Sequence, residues 1–123
     1  MTHTNESRTL HRGQVYYVNL GMPDGTSKQA GIRPCVLVGS EISLKHSSVI
    51  NILAFSSSPR KLNKSLPVHI FLSAKESGMP RDGVVLCEQP MTISKHQLEQ
   101  YVTTLTAEQM ERISEGIKLQ LSL

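Results

Sequence analysis

The chain has 123 residues, with 13 Lys and Arg against 10 Asp and Glu, for a formal charge of +3. That length allows one domain that buries roughly two thirds of its unfolded surface. No apolar run approaches the ~18 residues of a membrane span, and residues 1–10 lack the apolar segment of a signal peptide. The slight excess of positive charge suits a nucleic-acid partner without singling one out. Cys35 and Cys87 lie inside apolar runs with no Cys-x-x-Cys spacing. They read as reduced core residues of a cytoplasmic protein. Residues 1–10 read as a disordered tail and residues 11–123 as a single domain.

Residues 14–20 are rich in β-formers between Gly13 and Gly21, a first strand. Residues 21–31 are Gly-, Ser- and Pro-containing loop, longer than a hairpin needs; loops of that length tend to be functional or mobile. Residues 34–38 follow as a buried second strand. Pro34 biases Arg33 toward extended backbone, which holds a guanidinium at the mouth of a buried strand, where an anion can be met. The ordinary alternative is a surface charge in a salt bridge. A connection over 41–48 leads to a third strand at 49–55, stopped by Ser56-Ser57-Ser58-Pro59. Arg60, Lys61 and Lys64 then form a basic loop with no acid among them, either a phosphate-facing rim or a solvated turn.

Residues 66–72 read as a fourth strand, with Pro67 near its start where a missing N–H is tolerated. Residues 73–83 are turn-rich, and 84–87 form a fifth, buried strand. The last third reads as helical. Ser94-x-x-Gln97 and Thr106-x-x-Gln109 have capping-box spacing, and Leu105 with Met110 forms a hydrophobic staple. Met110, Ile113 and Ile117 make one apolar face, although Gly116 weakens the final turns. Short strands followed by a short helix and a terminal helix predict a mainly β chain, a small, strongly curved antiparallel sheet or barrel with helices at one edge.

The five histidines are scattered without ligand spacing, and there is no Gly-x-x-x-x-Gly-Lys-Ser/Thr or Gly-x-Gly-x-x-Gly. Asp82 lies in a turn and reads as a turn former. What remains is a set of polar residues at strand ends: Arg33, Ser56, Ser57, His69, Glu88 and Gln89. A guanidinium, a hydroxyl and an imidazole brought together can hold a phosphodiester. RNA supplies its own nucleophile, the 2′-hydroxyl, so a protein need only position it and stabilise the developing charge. Each residue also has a plainer use: Ser56 as a strand terminator, His69 as a half-buried core histidine, Gln89 as a partner for backbone.

Several segments in order resemble the MazF/PemK family of toxin endoribonucleases. They are Arg12-Gly13-Gln14-Val15-Tyr16-Tyr17-Val18-Asn19-Leu20, Gly31-Ile32-Arg33-Pro34-Cys35-Val36-Leu37-Val38, Leu66-Pro67-Val68-His69, Arg81-Asp82-Gly83-Val84-Val85-Leu86-Cys87-Glu88-Gln89 and Leu119-Gln120-Leu121-Ser122-Leu123. The resemblance spans about residues 11–123. It implies an SH3-like β-barrel with a C-terminal helix, a homodimer, and a partner antitoxin that is acidic and MazE-like. It further implies cofactor-free, metal-independent, sequence-specific cleavage of single-stranded RNA to 2′,3′-cyclic phosphate and 5′-hydroxyl ends.

The family's functional arginine maps onto Arg33. Its third-strand hydroxyl falls on Ser56, or on Ser57 with a shift of one, where the family pattern is threonine. Arg33 and Ser56 are thus the expected catalytic pair. A guanidinium is too weak an acid to serve as a base, so Arg33 is expected to neutralise the phosphorane oxygens and Ser56 to donate a hydrogen bond to them. Ser27, Lys28, Gln29, Ser57, His69, Glu88 and Gln89 are expected to contact RNA, with His69 the residue type best suited to proton transfer. Lys28 stands where some relatives carry a loop glutamate, so an acid–base role does not transfer to that position. Pro90-Met91 replaces a basic residue found in several relatives. Two other readings share the architecture: a non-enzymatic toxin that grips a protein such as DNA gyrase, and an RNA-binding barrel without catalysis.

Overall fold

The computed structural model describes residues 9–123. Its centre is the longest strand, β3 (Val49–Ser56), which pairs with three others. On one side runs β2 (Ile32–Leu37), antiparallel, with Cys35 opposite Ala54 and Leu37 opposite Ile52. On the other side two strands follow one another along its length. β6 (Met91–Ser94) covers Val49 to Ile52, and β5 (Gly83–Leu86) covers Phe55 and Ser56. β1 (Gln14–Asn19) lies outside β2, β7 (Leu98–Thr104) outside β1, and β4 (His69–Leu72) outside β5. The result is an antiparallel sheet in the order β4-β5-β3-β2-β1-β7, with β6 added on β3. The class agrees with the sequence-based expectation. Among the described residues β4 and β7 are the two ends of this path, so the sheet curves without closing into a ring.

Both faces of the central strands are covered, which is why they read as continuous apolar runs rather than as alternation. Val15, Val36, Leu53 and Phe55 point to one face and pack with Met110 and Ile113 of the terminal helix α4 (Ala107–Leu121). Tyr16, Val18, Cys35, Leu37, Ile52 and Ala54 point to the other, with Leu44 of the short helix α1 (Glu41–His46). Burial raises the thiol of Cys35 to about 12 and that of Cys87 to about 11, so both are inert core groups.

The terminal helix forms as its signals predict. Gln109 N–H donates to the Thr106 hydroxyl at 3.1 Å, the Gln109 side chain accepts from Thr106 N–H at 2.9 Å, and Leu105 and Met110 are both buried. Gly116 is required there: a Cβ would lie 2.7 Å from Cys87 Sγ and 3.2 Å from Ile70 Cδ1, so the helix can dock only through glycine.

Four segments differ from the sequence reading. The connection after β2 contains α1, capped by Ser40, but Leu44 is its one buried residue and no apolar period marks it. The basic loop is a short helix, α2 (Pro59–Asn63), with no buried residue at all. A third short helix, α3 (Ala74–Ser77), interrupts the turn-rich stretch, with Asp82 Oδ1 accepting from Ala74 N–H at 2.8 Å. The Ser94/Gln97 capping box is real but starts only a 3-10 turn (Lys95–Gln97), after which the chain enters β7 instead of a helix. Two register shifts against β1 break the alternation of β7 and hide the strand signal. Of the expected tail, residues 1–8 lie outside the described residues, and Leu10 packs against the second core cluster.

One close approach fixes the end of β3. A Cβ on Gly83 would lie 2.5 Å from both the Ser56 carbonyl oxygen and Phe55 Cζ. Gly83→Ala is therefore expected to destabilise the protein by about 1–3 kcal/mol through overpacking, measured as a lower midpoint in urea unfolding. An unchanged midpoint would show that β5 can move away from Ser56 freely.

Candidate functional site

Arg33 lies two residues before Cys35 on β2 and Ser56 two residues after Ala54 on β3, just beyond the Cys35–Ala54 pair that ends the β2–β3 ladder. Both residues line a cavity of about 530 Å³. Arg33 is exposed, and its one hydrogen bond runs from Nη1 to the neighbouring Ile32 carbonyl at 3.3 Å. Ser56 is 7 % exposed; its Oγ accepts from Ser58 N–H at 3.3 Å, which leaves the hydroxyl proton to donate. Both groups thus line one cavity, and neither is committed to a competing side chain.

The electrostatics of the cavity are one-sided. Arg33, Arg60, Lys61 and Arg81 line it and no carboxylate does. Among the described residues none of the four forms an ion pair. Four neighbouring cations without counter-ions repel one another, and folds retain such clusters where an anion is bound. Arg60 and Lys61 reach the rim because α2 begins at Pro59, directly after β3. Tyr17, Ile32, Pro34 and Phe55 add apolar wall, so the cavity presents rings beside cations, the combination that suits a base with its phosphate.

The expected site residues divide into three groups. Arg33, Ser56, Ser57 and Gln29 come together at the cavity. Ser27 and Lys28 stand on the adjoining loop of residues 20–31, where Lys28 Nζ lies 3.7 Å from Asp24 Oδ2. The hydroxyl and N–H of Thr26 bond Asp24 and hold its carboxyl below the usual range. The loop closes at its base through Leu20 N–H to Gly31 O at 2.8 Å and Gly31 N–H to Gly21 O at 2.7 Å. Both glycines have positive φ, +90° and +75°, which side chains rarely adopt.

The third group, His69, Glu88 and Gln89, does not line the cavity. The His69 side chain is 1 % exposed. Its Nδ1 accepts from Leu66 N–H at 3.0 Å, so the ring proton sits on Nε2, which donates to Glu88 Oε2 at 2.9 Å. Both nitrogens are engaged within the protein, which ties the imidazole into the scaffold beside β5. Gln89 pairs with backbone, taking Gln29 N–H on Oε1 at 3.0 Å and giving Nε2–H to Ser27 O at 3.2 Å.

Tyr17 and Arg81 were not singled out as site residues from the sequence. Tyr17 lies within a strand most of whose members are buried, and Arg81 lies in a turn 25 residues after Ser56. Only the β3–β5 pairing, with Ser56 opposite Val84, shows that this turn meets the cavity.

The fold is shared with a mycobacterial endoribonuclease solved in complex with its cognate antitoxin, which superposes with a TM-score of 0.73. That match is 20 % identical and covers 94 % of this chain and 95 % of the other. Residues 11–121 match the family described as PemK-like, MazF-like toxin of type II toxin-antitoxin system, and the chain belongs to that family. It is 34 % identical over 114 residues to endoribonuclease EndoA of Bacillus subtilis, covering 93 % of this chain and 96 % of that protein. It is 30 % identical over 115 residues to endoribonuclease MazF of Staphylococcus saprophyticus, covering 93 % and 92 %.

The scaffold role of His69 has a direct test. His69→Ala leaves Glu88 Oε2 without its donor, beside an Oε1 that already has no partner. A loss of about 1–3 kcal/mol in unfolding free energy is expected. Undiminished stability would contradict the scaffold assignment.

Proposed function

We propose that this protein is the toxin of a type II toxin–antitoxin system and cleaves single-stranded RNA at the Arg33–Ser56 site. The observation that carries this reading is an exposed guanidinium and a hydroxyl with its proton uncommitted, lining one cleft whose four cations meet no acid. Family membership and the endoribonuclease relatives support it.

A single strand enters with a phosphodiester between Arg33 and Ser56. Its 2′-hydroxyl gives its proton to water as the oxygen attacks phosphorus, a pentacoordinate phosphorane forms, and the bond to the 5′-oxygen breaks as that oxygen takes a proton from water. The products are a 2′,3′-cyclic phosphate and a 5′-hydroxyl. Charge develops on the non-bridging oxygens. A fixed guanidinium and a fixed hydroxyl donor bind that charge more tightly in the transition state than in the ground state. The reaction needs no metal in this scheme, because RNA brings the nucleophile and Arg33 the positive charge. Arg60, Lys61 and Arg81 hold flanking phosphates, while Tyr17 offers a ring to a neighbouring base. Sequence preference then rests on the groups that meet bases beside the cut.

The acid-free cleft is also complementary to an acidic peptide, so the cognate antitoxin is expected to be acidic and to block RNA by covering Arg33. The solved relative that carries its antitoxin supports such a partner. A homodimer acting in the cytoplasm completes the reading. The gyrase-binding alternative is not favoured, since the named relatives are endoribonucleases.

The test is cleavage of a short RNA in EDTA, compared with the same RNA carrying one 2′-deoxy sugar at the cut. Cleavage of the first and none of the second is expected, with a cyclic phosphate on the product. Arg33→Ala should lower kcat at least about 100-fold, the order seen when one transition-state donor is lost, with an unchanged melting curve. Cleavage that survives the 2′-deoxy substitution, or full activity in Arg33→Ala, would overturn the assignment.

A further inference from the structure

Between the hydrogen bonds that close its base, the loop over residues 22–30 has little to hold it. Its internal bonds join Asp24, Thr26 and Lys28 to one another. Its hydrogen bonds to the rest of the described chain all go to one side chain, Gln89. The carboxamide grips two peptide units at once: Oε1 takes Gln29 N–H at 3.0 Å and Nε2 gives to Ser27 O at 3.2 Å. These contacts span 60 and 62 residues of sequence, so local chain stiffness does not account for them.

The other side of the contact is rigid. Gln89 N–H donates to Leu86 O at 3.1 Å, closing a turn at the end of β5, and Pro90 follows. Glu88 next to it is tied to the buried His69, which is itself tied to Leu66 N–H. A fixed post thus holds a loop that is otherwise exposed, and the held segment includes Gln29, which lines the cavity.

We propose that Gln89 is a positioning residue whose side-chain amide latches the loop after β1 at Ser27 and Gln29, and so sets the rim over which RNA reaches Arg33 and Ser56. This rests on the RNA-cleaving reading for its consequence, but the latch itself is a property of the free protein. Gln89 acts through the loop, and the reacting groups stay on β2 and β3. Loss of the latch therefore weakens substrate capture while sparing the chemical step.

The loop carries its own reporter. Lys28 is exposed and lies between the two latched residues, so trypsin can cut after it when the loop opens. The experiment compares wild type with Gln89→Ala and Gln89→Met, without RNA, by the rate of tryptic cleavage after Lys28. Two lost hydrogen bonds should raise that rate about tenfold. With a short RNA substrate, KM should rise several-fold while kcat stays within about twofold. An unchanged rate at Lys28 in both variants overturns the latch, and so does loss of folding in both, because the role would then not be confined to the loop. An opened loop with unchanged KM overturns the positioning role. If wild type cleaves no RNA at all, the proposed function fails, while the tryptic comparison still decides the latch.

Discussion

The β2–β3 register governs this protein. Cys35 opposite Ala54 and Leu37 opposite Ile52 are buried pairs whose faces are fixed by packing on both sides of the sheet. A slip of one residue would exchange Val36 with Cys35 and Leu37 between the two packed faces, and both cores would have to repack. Arg33 and Ser56 stand just beyond the end of this ladder and owe their place at one cavity to it. Neither needs a partner side chain to hold it in place, so the guanidinium and the hydroxyl proton both stay available to a ligand. The close approach of Gly83 to the Ser56 carbonyl then fixes the backbone at the end of β3.

Around this pair the molecule concentrates charge that it does not neutralise. Elsewhere its acids are employed: Glu41 accepts from Arg12 N–H and bonds His11, Glu88 bonds His69, and Asp82 caps α3. None is placed at the cavity that gathers Arg33, Arg60, Lys61 and Arg81. The separation has two effects. It concentrates positive potential at the strand ends, and it leaves the guanidinium of Arg33 without a carboxylate partner among the described residues. Lys28 belongs to the same pattern. A carboxylate there would have introduced a local acid, whereas the lysine pairs with Asp24 on the outer side of the loop.

Much of this was legible in the sequence because it followed from burial. The central strands, the second capping box and the staple at Met110 are strong local signals, and the structure reproduces them. Arg33 and Ser56 came from strand ends and from a family resemblance together. What remained hidden lacks a local signal. Helices α1 and α2 bury one residue and none respectively, so they have no apolar stripe. Strand β7 is bulged, and its first residues follow a true capping box that leads only to a 3-10 turn. His69 looked chemically apt, but its Nδ1 is already taken by Leu66 N–H, a bond that depends on how the chain folds back before β4. The dual bond of Gln89 to the loop has the same origin, since it joins residues 60 positions apart.

The central claim is that an acid-free cleft around Arg33 binds the RNA backbone. It is tested most directly by titrating an uncleavable, fully 2′-deoxy oligonucleotide onto the wild type and Arg33→Ala over a range of salt concentrations. The account predicts that log affinity falls linearly with log salt, with a slope of about −0.7 per phosphate held, and that the variant loses about one phosphate from that slope. Binding that is insensitive to salt, or a slope identical in the variant, would contradict it.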